Sequence, residues 1–416
     1  MFRPVSLFLG LRYTRAKRRN HFISFISFSS MLGIALGVTV LITVLSVMNG
    51  FDQEIKNRIF EFAPQVTVRD VTGNIENWHN LATTLQKVPG VLAAAPFASG
   101  QGMLTSQDNV YPALINGILP SQEKSVSKIS QKMVTGSFAD LKPGKFGIIL
   151  GTALANNLGA MLGSKVTVVT PEATISPAGI LPNFKRFTVV GIFHAGNGFG
   201  FDTQLAYIDL KDAQALFEMN DAVSGIQLKI NNLYAAPTIT QKIANMVTND
   251  YFITNWTMDY GPLFKAIQLE KTMMFCILLL IVAVAAFNLV ASLVMVVNDK
   301  QADIAILRTF GAAPQTIMNS FIVQGFIIGL VGTLMGLIGG ILLALNVTTI
   351  VSWIEHLFNI QLLSSSIYYV NYLPSQLLWS DVVRVCLAAF LLCLLATLYP
   401  AWRAAKTQPA EALRYE

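Results

Sequence analysis

The stretch Asn20–Phe51, NHFISFISFSSMLGIALGVTVLITVLSVMNGF, decides the fold, because it contains no Lys, Arg, Asp or Glu and consists mostly of apolar residues and glycine. A helix needs about 20 apolar residues to cross the hydrocarbon core of a bilayer, where only helical or closed-barrel backbone can satisfy its own polar groups. Three further uncharged runs cover Thr272–Asn298, Thr309–Trp353 and Val385–Trp402. The sequence therefore predicts an integral membrane protein with four spanning helices. The long interval between the first two runs has ordinary soluble composition and reads as an inserted domain.

Charge supports this division. Only 12% of the 416 residues are charged, about half the share of a soluble protein. From Gly50 to Lys271 the chain holds 17 basic and 17 acidic residues, so the net charge of +6 lies wholly outside the insert. A positive excess that flanks spans and avoids the soluble face excludes a nucleic-acid role. Arg3, Arg12, Arg15, Lys17, Arg18 and Arg19 precede the first span without a single acid. The positive-inside rule places that end in the cytoplasm, and four spans return the C-terminus, with Arg403, Lys406 and Arg414, to the same side. The insert is then external. The first run is too long for the core of a cleavable signal. Cys276, Cys386 and Cys393 fall within predicted spans and read as small apolar residues.

The predicted organisation is a cytoplasmic amphipathic helix lying on the membrane lipids (1–21), a first span (22–50) and a domain with its stalks (51–271). Spans at 272–298, 315–346 and 382–402 follow, with a cytoplasmic helix at 299–314, an external loop at 347–381 and a tail at 403–416. Val44, Met48, Phe51, Ile55 and Ile59 continue an apolar stripe beyond the first run, and Leu263, Ile267 and Met274 repeat it ahead of the second. The insert thus rides on two helical stalks, and packing between the stalks explains the stripes at least as well as ligand contact. Switching periodicity predicts a mixed α+β domain in two lobes divided near Leu119–Ser137.

Two segments stand out. Thr170–Arg186, TPEATISPAGILPNFKR, separates two predicted strands, and its Pro171, Pro177 and Pro182 oppose regular ladder bonding. Its apolar content favours a projecting docking loop over a disordered one. Asp303–Gly311, DIAILRTFG, predicts a short amphipathic helix suited to a groove on a cytoplasmic partner. In the third run Gly325 and Gly329, then Gly332, Gly336 and Gly340, recur every four residues, which favours close helix packing over a ligand site. Val347–Phe358, with Trp353, Ile354 and Leu357, suits an interfacial helix on the external surface.

Catalytic signatures are missing. No G-x-x-x-x-G-K-[ST] occurs, the string Gly159–Lys165 (GAMLGSK) having the wrong spacing, and no G-x-S-x-G occurs. His21, His79, His194 and His356 are scattered without a metal-ligand pattern. The expected chain is no enzyme and holds no metal or cofactor.

Over nearly its whole length the chain resembles the transmembrane subunits of the bacterial lipoprotein-releasing ABC transporter, the LolC/LolE family. The resemblance rests on Leu45–Phe51 (LSVMNGF), the helix Asp303–Gly311 and the tail Leu398–Glu416 (LYPAWRAAKTQPAEALRYE). The loop Ser176–Pro182 (SPAGILP) and the tail look LolC-like, whereas Leu363–Ser375 (LSSSIYYVNYLPS) looks LolE-like. The mixture is similar to the LolF type, in which one protein supplies both halves of the transporter. The resemblance implies a MacB/FtsX-like, type VII ABC permease fold in the inner membrane, with the insert in the periplasm. It implies that triacylated lipoprotein is extracted past Val44, Met48, Phe51, Ile55, Leu263 and Ile267. It also implies a carrier-binding hook at Ser176, Pro177, Ala178, Gly179, Ile180, Leu181, Pro182 and Lys185, for LolA. Asp303, Ile304, Leu307, Arg308 and Phe310 would couple to a LolD-like ATPase dimer that binds ATP and Mg, beside a second copy of the chain or a LolC/LolE-like permease. A MacB-like efflux or mechanotransmission permease and an FtsX-like regulator of a periplasmic hydrolase are the competing readings.

Overall fold

Neither proline nor any charge interrupts the first apolar run, and helix α1 extends from His21 to Phe62 in the computed structural model. The structure describes residues 21–71, 73–176, 179–196, 200–247, 250–359 and 372–408, with side chains from residue 27 onward except those of 172–182. The expected helix at 1–21 lies almost wholly outside the described residues. The chain divides into a helical unit and a mixed unit formed largely by Glu54–Ala266.

The helical unit holds α1 to Gln53, most of α2 (Gly261–Asp299), the short α3 (Gln301–Thr309), α4 (Pro314–Phe358) and α5 (Trp379–Ala405). Four helices, α1, α2, α4 and α5, are long and apolar enough to cross a membrane. Both α1 and α2 run on past their apolar stretches, as the stripes predict. The segment Val347–Phe358, expected to be an interfacial helix, is helical as the direct continuation of α4 beyond the expected end of the span at 346. No Gly or Pro follows Gly340 until Asn359 closes the helix in a left-handed conformation (φ 51°).

Small residues hold this unit together. A Cβ on Gly336 would lie 2.6 Å from Val38 Cβ and 2.7 Å from the Ala35 carbonyl oxygen, and one on Gly340 would lie 2.9 Å from Ile42 Cβ. Gly332 meets Ile34 in the same way, so these three glycines admit α1. Gly325 and Gly329 instead face Thr397 and Cys393 of α5. The two glycine series seen in the sequence thus serve two different neighbours. In lipid, such close approach replaces the hydrophobic drive that water supplies elsewhere.

The mixed unit is built on ten strands: β1 (Val66–Asp70), β2 (Val91–Ser106), β3 (Asn109–Ile118), β4 (Met133–Gly136), β5 (Gly147–Gly151), β6 (Lys165–Ser176), β7 (Gly179–Phe193), β8 (Leu205–Asp209), β9 (Gly225–Ile230) and β10 (Tyr251–Asn255). Their order is β10-β1-β9-β2-β3-β8-β5-β7-β4, and β6 pairs with both β2 and β7. Strands β2, β3, β8, β5, β7 and β6 therefore close a ring. The long β2 belongs to both halves, pairing with β9 from Val91 to Phe97 and with β6 from Met103 to Thr105. This corrects the expected division at Leu119–Ser137, since the two parts share one strand and no connecting segment separates them. Phe60, Trp256, Tyr260 and Phe264 form an aromatic cluster with ring centroids 5.3–6.3 Å apart. Of the stripe residues nearby, Ile59 is fully buried and Leu263 is exposed.

Burial raises the pKa of several carboxyl and phenol groups of this unit, Asp209, Asp212, Tyr207 and Glu123 among them. Glu123 accepts a 2.5 Å hydrogen bond from Gln227 Nε2, and burial pushes its carboxyl from the ordinary 4.5 up to about 8. The folded chain therefore keeps a proton that the unfolded chain releases. This contribution to stability is complete below pH 4.5 and is lost as pH rises to about 8. Glu123→Gln is expected to flatten the decline in melting temperature between pH 5 and 8 (on the order of one kcal/mol per pH unit at most). Thermal unfolding of the detergent-solubilised protein across that range checks it, and an unchanged slope would show that another group carries the effect.

Candidate functional site

The Pro-rich segment is an extension of two strands and not the loop that its prolines suggest. β6 and β7 pair antiparallel from Lys165↔Thr188 out to Ser176↔Gly179. Pro171, with no N–H to give, falls where the register shifts between Val169 and Ala173, and beyond that bulge Thr174 and Ile175 stand opposite Leu181 and Ile180. The result is a β-hairpin whose tip residues, Pro177 and Ala178, lie outside the described residues. Ser176, Gly179, Ile180, Leu181 and Pro182 are placed by backbone register alone. Lys185 is exposed near the base, beside Phe184, whose side chain is 67% exposed. Phe184 is the register partner of Val169, which pairs with Met103, which pairs with Pro112. These residues make an apolar row across four strands, and Met103, Pro112 and Phe184 in it are exposed.

The helical stripe is positioned by α1. Val44, Met48, Phe51 and Ile55 follow one another at four, three and four residues and share a face. All four are half-buried, whereas Leu45 and Ile59 are buried. In α2, Ile267 is half-buried and Leu263 is exposed.

The third region is α3. Ile304 is fully buried with Val296, Val297, Ile317, Phe321, Ala401 and Ala404, and Leu307 packs against the same cluster. Ile304 and Leu307, two of the residues expected to couple to the ATPase, anchor α3 to its own bundle through their apolar side chains. Arg308 does likewise by donating to the carbonyls of Ala405, the last residue of α5, and of Thr407 just beyond it. The free face carries Asp303, Ile306 and Phe310, at i, i+3 and i+7. Asp303 pairs with Lys300 at 3.0 Å, and Phe310 is 85% exposed. Gly311, at φ +92°, ends the helix as its sequence predicts.

Sequence reasoning missed one cluster. Asn49, Lys271 and Asp381 come from α1, α2 and α5 and bond to one another. The only signal was that Asn49 stands near the end of the first apolar run while Lys271 and Asp381 stand just ahead of the second and fourth, which also suits ordinary boundaries. Among the described residues no group of three or more His, Cys, Asp or Glu is placed to hold a metal ion.

Comparisons with known proteins agree with this architecture. Residues 27–246 match the MacB-like periplasmic core domain, and residues 275–409 match the FtsX-like permease C-terminal domain. The chain is 46% identical to the lipoprotein-releasing system transmembrane protein LolC of Neisseria meningitidis over 98% of each chain. It is 45% identical to LolC of Xylella fastidiosa over the full length of both. Against LolE of Haemophilus influenzae the identity is 34% over 98% of each. A permease scaffold matched from end to end at these identities makes the chain a member of the LolC/LolE family of lipoprotein-releasing system transmembrane proteins.

Proposed function

We propose that this chain is the permease subunit of an ATP-driven transporter that extracts outer-membrane-destined lipoproteins from the inner membrane and passes them to the periplasmic carrier LolA. The observation that carries the reading is the end-to-end similarity to lipoprotein-releasing transmembrane proteins. The competing efflux and regulatory readings rest only on the two shared domain families, whereas the full-length relatives are named for lipoprotein release. The basic residues ahead of α1 support cytoplasmic termini and a periplasmic mixed unit.

The energetics explain why a protein route is needed. At ~0.8 kcal/mol per methylene, about 40 methylenes on three acyl chains cost on the order of 30 kcal/mol in water. An apolar face that continues along one helix beyond the bilayer lets the chains leave lipid without that exposure. Val44, Met48, Phe51 and Ile55 offer such a face on α1, with Ile267 and Leu263 on α2. Nucleotide chemistry belongs to a separate LolD-like ATPase dimer that holds ATP and Mg. The face of α3 bearing Asp303, Ile306 and Phe310 docks it, while Ile304, Leu307 and Arg308 transmit the motion into α5 and its neighbours. A second permease of the same family completes the assembly. The hairpin Ser176–Pro182, with Lys185 and the apolar row at its base, holds the carrier close to the exit.

Photo-crosslinking residues placed at Met48 or Phe51 are expected to trap lipidated cargo in the reconstituted complex, and ATP should chase the adduct. Active release with no adduct at either position would reject the route. Ile306→Ala with Phe310→Ala should reduce recovery of the ATPase on co-purification several-fold while leaving carrier capture intact, and full recovery would remove α3 from the docking face. Pro177→Asp with Gly179→Asp should abolish retention of the carrier in a pull-down and leave ATPase assembly unchanged. Undiminished retention would assign carrier binding elsewhere.

A further inference from the structure

Three helices of the membrane unit meet through one closed polar triad. Lys271 Nζ donates to Asn49 Oδ1 at 2.7 Å and to Asp381 Oδ2 at 2.7 Å, and Asn49 Nδ2 donates to the same carboxylate oxygen at 2.9 Å. Asn49 and Asp381 are 6% and 7% exposed. The exposed Arg384 approaches the other carboxylate oxygen at 3.6 Å. Adjoining backbone is fitted to the same turn of α1. Gln376 N donates to the Ser46 carbonyl at 2.8 Å, and a Cβ on Gly50 would lie 2.5 Å from the Pro374 carbonyl group.

Such a group is a poor way to make helices adhere. A buried ion pair contributes little net stability, whereas removal of one partner strands the other charge. The glycine contacts already interlock α1 with α4 and α4 with α5. An ionisable cluster at the end of membrane-spanning helices instead signals a functional constraint. Its position is specific: Asn49 lies between Met48 and Phe51, and Lys271 follows Ile267 by one turn on the same face of α2.

We infer that Asn49, Lys271 and Asp381 form a positioning latch that locks the ends of α1, α2 and α5 in one arrangement and must open during the transport cycle. The latch rests on the functional reading above. It sets the spacing of Met48, Phe51 and Ile267 without itself touching cargo. It is polar because a latch has to be broken and remade, and exchange of a few directional bonds gives two discrete states where packed apolar surfaces would give one.

The test uses the full complex with its ATPase in proteoliposomes. One readout is lipoprotein released per ATP hydrolysed. The other is the distance between spin labels at Gln53→Cys and Val383→Cys, with the three native cysteines replaced. Lys271→Met and the isosteric Asp381→Asn are expected to broaden the nucleotide-free distance distribution and to lower release per ATP by at least about tenfold, as a stranded charge would. Lys271→Arg, which keeps the charge, should retain both. Wild-type distances and coupling in Lys271→Met and Asp381→Asn overturn the latch. So does a Lys271→Arg variant as defective as Lys271→Met, and so does a parallel fall of ATPase and release with an unchanged distribution. If the unsubstituted complex releases no lipoprotein while the distances respond as described, the functional reading fails and the latch stands.

Discussion

Hydrocarbon gives a peptide group nothing to bond with, and it gives one helix no hydrophobic reason to leave lipid for another. The four long helices satisfy the first condition by their own backbone bonds. They meet the second through surface relief. Glycines at 332, 336 and 340 of α4 accept Ile34, Val38 and Ile42, while those at 325 and 329 accept Thr397 and Cys393. One helix is thereby the common wall for two others. The shape of that wall is set by residues that lack a side chain, which is why so apolar a unit has a defined arrangement.

The same scarcity of polar partners raises the stakes of every polar group that is present. In α3 the division is clear: Ile304 is buried in the bundle with Leu307 packed against the same cluster, Arg308 caps carbonyls at the end of α5, and Ile306 and Phe310 are left outside. A nine-residue helix with both an anchored and an exposed apolar face is held in place independently of any partner. The mixed unit obeys ordinary aqueous rules by contrast. There a carboxylate such as Glu123 can be buried beside Gln227 because the proton it retains replaces the missing water.

Where a single physical rule operated, the residues announced their structure. Uncharged length gave the four spans, four-residue spacing of glycine gave the close contacts, and Gly311 gave the end of α3. The hairpin was hidden by its prolines, which oppose regular ladder bonding. A bulge can absorb Pro171, and cross-strand pairing of Thr174 and Ile175 with Leu181 and Ile180 then carries the ladder onward. The extension of α4 through Val347–Phe358 was hidden because an amphipathic end looks the same whether or not it is joined to what precedes it. Which apolar residues of α3 faced inward could not be read from periodicity, which gives a face but not its neighbour. The triad of Asn49, Lys271 and Asp381 was illegible for a stronger reason. Its members are 222 and 110 residues apart in the chain, and only tertiary structure makes them a group.

Helix α2 is 39 residues in one piece, about 58 Å at 1.5 Å per residue, and after Pro262 it contains neither glycine nor proline. It has no hinge. Sharp kinks gather at proline, glycine or bulges, and this helix offers none of the first two over 37 residues, Leu263–Asp299. Helix α1 has glycines at 33, 37 and 50, and each faces a close neighbour, Ala285, Val282 and Pro374 in turn. The two long helices thus differ in kind: α2 is an unbroken rod, and α1 is notched where its neighbours press closest.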